Sequence, residues 1–252
     1  MAFGMHRLLV STDVLNCGSA TLPTDAVHHL KVVRPKSGEL IELFDGAGRS
    51  RLFRCGDSAA RPLVAAGELS QFPPLPFRLS LFACVTKGSR WDWTVEKATE
   101  LGVSRIVPVL SERCIVRIAA AERNAKRDRW RRIAEDAARQ SDAKWLPDVL
   151  GPVDFAAALG MVKECACFVG ALAWPTPEPL LTAVQKHLRE LPSERALGLF
   201  VGPEGDFTPD ELSALLEVAT PTSFGPTVLR AETAAIFGVS TIAAALHGFK
   251  AG

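Results

Sequence analysis

The chain lacks any apolar run near the roughly 20 residues that a bilayer crossing requires, so no membrane association is expected. Its opening, Met1-Ala2-Phe3-Gly4-Met5-His6-Arg7, lacks the order of a secretory signal, with charge first and an apolar stretch after it. The expectation is a cytoplasmic protein. Paired cysteine spacing is also missing. Cys17, Cys55, Cys84, Cys114, Cys165 and Cys167 stand singly apart from one Cys-x-Cys, which argues against a zinc ribbon and for buried apolar thiols. There is no Gly-x-Ser-x-Gly, no Walker loop and no His-Glu-x-x-His. His28 and His29 are adjacent and cannot both face one metal on a helix, so no metal site is expected. Charge of one sign is scarce as well: 29 basic against 28 acidic residues leave a net +1, and nothing global points to a polyanion. Internal repeats, low-complexity tracts and charged tails are absent.

What is present is an ordinary globular composition, 48% apolar over 252 residues, enough for one large or two modest domains. Residues 7–10, 39–44 and 49–54 read as short strands, with Asp45-Gly46-Ala47-Gly48 as a hairpin turn and one short helix over 24–30. That pattern suggests a small β-barrel over residues 1–72. Three prolines in Phe72-Pro73-Pro74-Leu75-Pro76 can continue neither strand nor helix, so the boundary is expected here.

From 75 to 252 strand and helix patterns alternate. Strands are expected over 77–85, 103–110, 165–172 and 197–201, with helices over 92–101 and 126–140 and a further one between the last two strands. Such alternation implies an α/β fold, a mostly parallel sheet covered on both faces. The strand ending at Val201 runs into Gly202-Pro203-Glu204-Gly205, followed by Thr208 and Glu211 at capping-box spacing with Pro209 between them. Phe224-Gly225-Pro226 and Val228-Leu229-Arg230 then precede a helix opened by Glu232-Thr233 and running to about Leu246. Open α/β sheets bind ligands at such strand ends. The glycines can serve as simple turns or as the wall of a small-ligand cradle. Between Glu112 and Arg132, eight basic residues against three acids form a local basic segment: either a polyanion site or a solvated helix face.

Seven short motifs then occur in order: Lys87-Gly88-x-Arg90, Lys97-Ala98-Thr99-Glu100-Leu101-Gly102-Val103, Ser111-Glu112-Arg113, Arg129-Trp130, Ala137-Ala138-Arg139-Gln140-Ser141, Gly202-Pro203-Glu204-Gly205 and Leu229-Arg230-Ala231-Glu232-Thr233-Ala234. Together they closely resemble the RsmE family of 16S rRNA uridine-N3 methyltransferases in the SPOUT superfamily. Residues 28–34 and Phe44-Asp45-Gly46 are similar to the same family's amino-terminal domain. The resemblance covers nearly the whole chain except around 55–75 and 142–196.

The resemblance implies a SPOUT-type trefoil-knotted α/β methyltransferase domain over 75–252, preceded by a PUA-like RNA-binding β-barrel. It implies S-adenosyl-L-methionine as cofactor, a homodimer, and 16S rRNA or the assembled small ribosomal subunit as partner. Leu172, Val201, Gly202, Glu204, Gly205, Gly225, Val228, Leu229 and Thr233 would line the cofactor pocket. Apolar walls and backbone amides suit a neutral adenine.

Uridine N3 attacks a methyl group well only after losing its proton, so a base and a charge-stabilising group are needed. Arg230 is the candidate stabiliser, because its planar fork can face a carbonyl pair or a phosphate. Glu232 and Glu100 are candidates for the base or for orienting Arg230; Glu232 also suits a helix first turn on electrostatic grounds alone. Lys31, Arg34, Lys87, Arg90, Arg113, Arg117 and Arg123 are phosphate-contact candidates, and Gln140 would touch RNA or brace the site. Trp91 and Trp93 read as packing residues. Two positions depart from the family pattern. Gly205-Asp206 stands where a pair of glycines is usual, and Asp142-Ala143-Lys144-Trp145 lacks the arginine common after Gln140-Ser141, with Lys144 as its candidate replacement. A ribose 2′-hydroxyl methyltransferase and a non-catalytic RNA-binding or ribosome-assembly factor are the rival readings.

Overall fold

A computed structural model describes residues 5–22, 26–27, 30, 35–57, 62–75, 77–163, 165–172, 177–191 and 196–248. The chain divides into two compact units, residues 1–74 with 138–146, and residues 75–137 with 147–252.

The first unit contains β1 (Arg7–Leu9), α1 (Thr12–Asn16), β2 (Ser19–Ala20), β3 (Leu40–Phe44), β4 (Arg49–Arg54), β5 (Leu63–Ala65) and β6 (Ser70–Gln71). They form one sheet in the order β1-β3-β4-β5-β2, with β6 on β4. The β3–β4 hairpin turns on Asp45, whose Oδ1 accepts from the amides of Ala47 at 2.8 Å and Arg49 at 3.0 Å. Leu8, Leu15, Ile41, Leu43 and Phe53 share its apolar core. The expected barrel is not closed: among the described residues no ladder joins β1 to β2, and the two-residue β2 and β6 offer too few bonds to close a sheet. Most of the helix expected over 24–30, with His28, His29, Lys31 and Arg34, lies outside the described residues.

A buried ionic network ties the returning segment 138–146 into this unit. Arg7 is 8% exposed and Glu42 is 7% exposed. Arg7 Nε meets Glu42 Oε2 at 2.6 Å, and its two terminal nitrogens donate to the carbonyls of Ala138 at 2.7 Å and Ala143 at 3.1 Å. Lys144 Nζ donates to Glu42 Oε1 at 2.9 Å and to Asp142 at 2.8 Å. Lys144, the candidate replacement for a missing RNA-contacting arginine, is therefore engaged inside the protein. Burial alone would raise the Glu42 carboxyl, but bonds from Ser50, Lys144 and Arg7 outweigh it and hold the pKa below the ordinary 4.5.

The second unit holds β7 (Arg78–Cys84), α2 (Ser89–Glu100), β8 (Arg105–Leu110), a 3-10 turn (Ala120–Glu122), α3 (Arg123–Gln140, its last three residues in the first unit), β9 (Asp148–Val149), β10 (Val153–Asp154), α4 (Phe155–Val162), β11 (Ala166–Gly170), α5 (Leu180–Glu190), β12 (Ala196–Val201), α6 (Pro209–Leu216), β13 (Ala219–Thr222) and α7 (Ala231–Gly248). The sheet order is β10-β8-β7-β12-β11-β13, with β9 on β8, and all these ladders are parallel. Period two sends Leu79, Leu81, Leu197, Leu199 and Phe168 into one core and Phe82, Cys84, Phe200, Cys167 and Val169 into the other. Both faces are thus covered. α2 starts three residues before the expected Asp92, because Gly88 at φ +65° supplies the N-cap geometry. It places Trp91 in the core, edge-on to Trp130 with centroids 5.5 Å apart, but leaves Trp93 42% exposed. Residues two apart on a helix face different ways, so only the first packs. Cys17 is exposed and Cys165 half-buried, against the expectation of buried thiols; the other four are buried.

Two consequences are measurable. Glu42→Gln keeps the shape of the buried pair and removes its charge, so it should destabilise the fold by about 3 kcal/mol in urea unfolding. A depressed folded pKa gives stability that is present above pH 4.5 and lost as pH falls through the lowered value; the variant should lose that part of the acid sensitivity. Separately, a Cβ at Gly238 of α7 would sit 2.5 Å from Leu199 Cδ2 on β12. Gly238→Ala should lower thermal stability by about 1–3 kcal/mol through overpacking, despite a helix propensity about 1 kcal/mol better.

Candidate active site

The carboxyl ends of the neighbouring strands β12, β11 and β13 emerge side by side. The described residues that follow them, 202–208, 171–172 and 223–230, gather by the first turn of α7. Together they enclose a cavity of about 310 Å³. Of the expected pocket residues, Leu172, Val201, Gly202, Glu204, Gly225, Val228 and Leu229 line it. Gly205 and Thr233 are not among the lining residues: Gly205 packs towards Arg113, and Thr233 points to solvent. Gly170, Pro203, Asp206, Phe224 and Ala231 also line the cavity. Proximity in sequence was the available signal for them, to Leu172 for Gly170 and to the two glycine loops for the others.

Local chemistry explains the shape. Gly225 at φ +122° adopts a backbone conformation that side chains disfavour, and its amide is held by Ser223 Oγ at 3.2 Å. A Cβ on Gly170 would sit 2.6 Å from the Phe224 ring, so only glycine lets the 223–230 loop close over β11. Leu172 and Val228 are 70% and 74% exposed at the cavity, a large apolar area left without cover.

The 202–208 loop is held from outside the cavity. Arg113 Nη1 donates to the carbonyls of Gly205 and Phe207, both at 3.2 Å. The Glu112 amide donates to Glu211 Oε1 at 2.8 Å, while Glu211 Oε2 accepts the Thr208 amide at 3.1 Å and Thr208 Oγ1 accepts the Glu211 amide at 3.2 Å. This is the capping box read from sequence, with Pro209 opening the helix. Arg90 pairs with Glu204 at 3.3 Å.

Arg230 lines the cavity, is exposed, and has no side-chain partner among the described residues. Glu232, in the first turn of α7, has Oε2 buried without a hydrogen-bond partner among the described residues. Glu100 is not at the cavity wall; Lys97 Nζ holds its carboxylate at 2.8 Å. Among the described residues no group of three His, Cys, Asp or Glu side chains could hold a metal ion.

The basic segment is largely engaged within the protein. Besides Arg113, Arg117 donates to the Glu112 carbonyl at 2.8 Å, Arg123 grips Asp154 through both terminal nitrogens, at 2.6 and 3.3 Å, and Arg129 pairs with Asp92. A second, open cavity of about 550 Å³ lies by Glu112, Arg117, Glu122, Arg123 and Asp154. Lys87 and Gln140 are exposed. On α3, Asp128 and Glu135 fall among Lys126, Arg131 and Arg132, as a solvated mixed-charge face requires.

Arg113→Ala should cost about 1–2 kcal/mol and speed amide exchange across 203–208 in hydrogen–deuterium exchange. Unchanged exchange there would contradict the bracing role.

Comparison with known proteins gives a consistent set of likenesses. A family profile described as RNA methyltransferase domain matches residues 73–243. Ribosomal RNA small subunit methyltransferase E from Synechocystis is 31% identical over 96% of this chain and 78% of its own length. The protein of the same name from Mycobacterium bovis is 31% identical, with 94% and 92% covered. Among solved structures, a Legionella pneumophila methyltransferase in complex with bound SAM is 26% identical with TM-score 0.84, covering 96% of this chain and 98% of that one. A Neisseria gonorrhoeae ribosomal RNA small subunit methyltransferase E bound to S-adenosyl methionine is 27% identical with TM-score 0.77, covering 94% and 96%. No helix among the described residues is long and apolar enough to cross a membrane.

Proposed function

This chain belongs to the ribosomal RNA small subunit methyltransferase E family, and from that premise we propose that it methylates N3 of a uridine in 16S rRNA, with S-adenosyl-L-methionine as methyl donor. The observation that carries the proposal is the cavity at the ends of β11, β12 and β13, where Arg230, without a side-chain partner among the described residues, stands beside glycine loops and exposed apolar side chains. The residues present fit the cofactor. Leu172, Val228 and Leu229 give apolar walls for a nucleobase, and Gly170 and Gly225 leave the close main-chain approach that a Cβ or an ordinary backbone conformation would prevent. When bound, S-adenosylmethionine supplies a methyl group on a positively charged sulfur.

The protein's own part is positioning and charge. Arg230 would stabilise the negative charge that spreads to the uracil oxygens once N3 is deprotonated. Glu232 is the candidate to take that proton or to orient Arg230, since its buried Oε2 lacks a partner among the described residues. Glu100 is the second candidate, although Lys97 already holds it. Gly205 and Thr233 stay in the proposed cofactor set as neighbours in sequence of residues that line the cavity. RNA would be held by Lys87, Arg90 and the amino-terminal Lys31 and Arg34. Arg113, Arg117 and Arg123 would contribute field more than direct bonds, and Gln140 would contact RNA or brace the site. The family's trefoil knot, PUA-like amino-terminal domain and homodimer, a cytoplasmic location, and RNA bridging two subunits complete the proposal.

Arg230→Ala should leave S-adenosylmethionine binding intact, its affinity unchanged or up to about tenfold tighter, and lower methyl transfer by about 10²–10³. The assay is nucleoside mass spectrometry of small-subunit RNA taken from a strain lacking the gene and treated with purified enzyme. 3-Methyluridine is the expected product, whereas a 2′-O-methylated nucleoside would overturn the N3 assignment. Undiminished transfer by the variant would remove Arg230 from the mechanism.

A further inference from the structure

We propose that Asp206 makes the cavity discriminate by charge between S-adenosylmethionine and its demethylated product, S-adenosylhomocysteine. The inference rests on the cofactor reading above and adds a specificity-determining residue to it. Asp206 is part of the cavity wall. Its backbone is left-handed, at φ +58°, a conformation that glycine takes more readily. The side chain is fixed rather than free to swing: its Oδ1 accepts the Phe207 amide at 2.8 Å, and its own amide donates to the Pro203 carbonyl at 3.0 Å.

Three charged residues line the cavity, Glu204, Asp206 and Arg230. Glu204 is paired with Arg90 at 3.3 Å. Among the described residues Asp206 forms no ion pair, so its carboxylate is the negative charge of the wall that no direct contact neutralises. A residue without charge would satisfy the turn equally well, because glycine meets the backbone demand and asparagine meets both that and the Phe207 amide. The charge is therefore the feature that local structure does not require.

The two ligands share an adenosine, an ammonium and a carboxylate, and differ by one methyl group and one positive charge on sulfur. Shared groups cancel in the ratio of their affinities. Asp206 and Arg230 line the same cavity, and charges that face a common ligand in a partly buried site are screened much less by salt than charges on an open surface. Arg230 acts on the same charge with the opposite sign. With Asp206 present the two wall charges offset one another, and without it the sulfonium meets an arginine alone. For a partly exposed site this is a several-fold effect on the ratio, about 3–10-fold. The consequence is easier exchange of spent product for fresh donor.

The test is calorimetric titration of the full chain with each ligand separately, at low and high salt, for the wild type, Asp206→Asn and Asp206→Gly. Asparagine keeps the turn and the Phe207 bond and removes only the charge. The preference for S-adenosylmethionine over S-adenosylhomocysteine should fall about 3–10-fold in both variants at low salt, with the difference shrinking at 0.5 M salt. If the asparagine variant binds both ligands with an unchanged ratio, or weakens both equally, Asp206 does not discriminate and the proposal fails. If the wild type binds neither ligand, the cofactor reading falls first and this inference falls with it.

Discussion

Every strand in the sheet of the second unit runs in the same direction, and that constraint decides where chemistry is possible. A parallel ladder returns the chain through a crossover, so all carboxyl ends leave at one edge and the loops there are not consumed by hairpins. Where β12, β11 and β13 lie side by side, three such loops meet at the start of α7. The cavity needs nothing further to exist than that adjacency, a glycine beneath Phe224 and a turn at Gly225. The apolar rows beneath it, alternating between two cores, keep the edge rigid.

Rigidity alone leaves the 202–208 loop short of partners, and the protein supplies them from the segment after β8. Arg113 and Glu211 together bind three main-chain groups of the loop, and the Glu112 amide in turn holds the Glu211 carboxylate. Charge around the cavity and the segment after β8 thus divides into two kinds. Arg113, Arg117 and Arg123 face carbonyls or a carboxylate of their own chain, whereas Lys87 and Arg230 face outward. Bonded arginines still contribute a positive field at the surface, but their forks are occupied.

Much of this was legible in sequence, for physical reasons. β7 and β12 are apolar because both faces are buried; the Thr208–Glu211 box is local; and the glycine loops announce themselves by composition. Other features depend on partners remote in sequence. β13 contains Pro221 and two threonines with no apolar run, as an edge strand tolerates. The return of 138–146 rests on Arg7 reaching carbonyls more than 130 residues away. Whether an arginine is free or engaged is fixed by the fold, and so Arg113 and Lys144 read as RNA contacts until their partners are seen. The closed barrel was inferred from turn spacing, which says nothing of whether the outer strands are long enough to pair.

The central claim is that the strand-end cavity holds S-adenosylmethionine. Amide chemical shifts of the isotopically labelled protein, followed while the cofactor is titrated, test it most directly. Saturable shifts concentrated at 170–172, 201–206 and 223–231 are predicted, with little change in the first unit. Shifts confined to other residues, or none at millimolar cofactor in the presence of small-subunit RNA, would contradict the account.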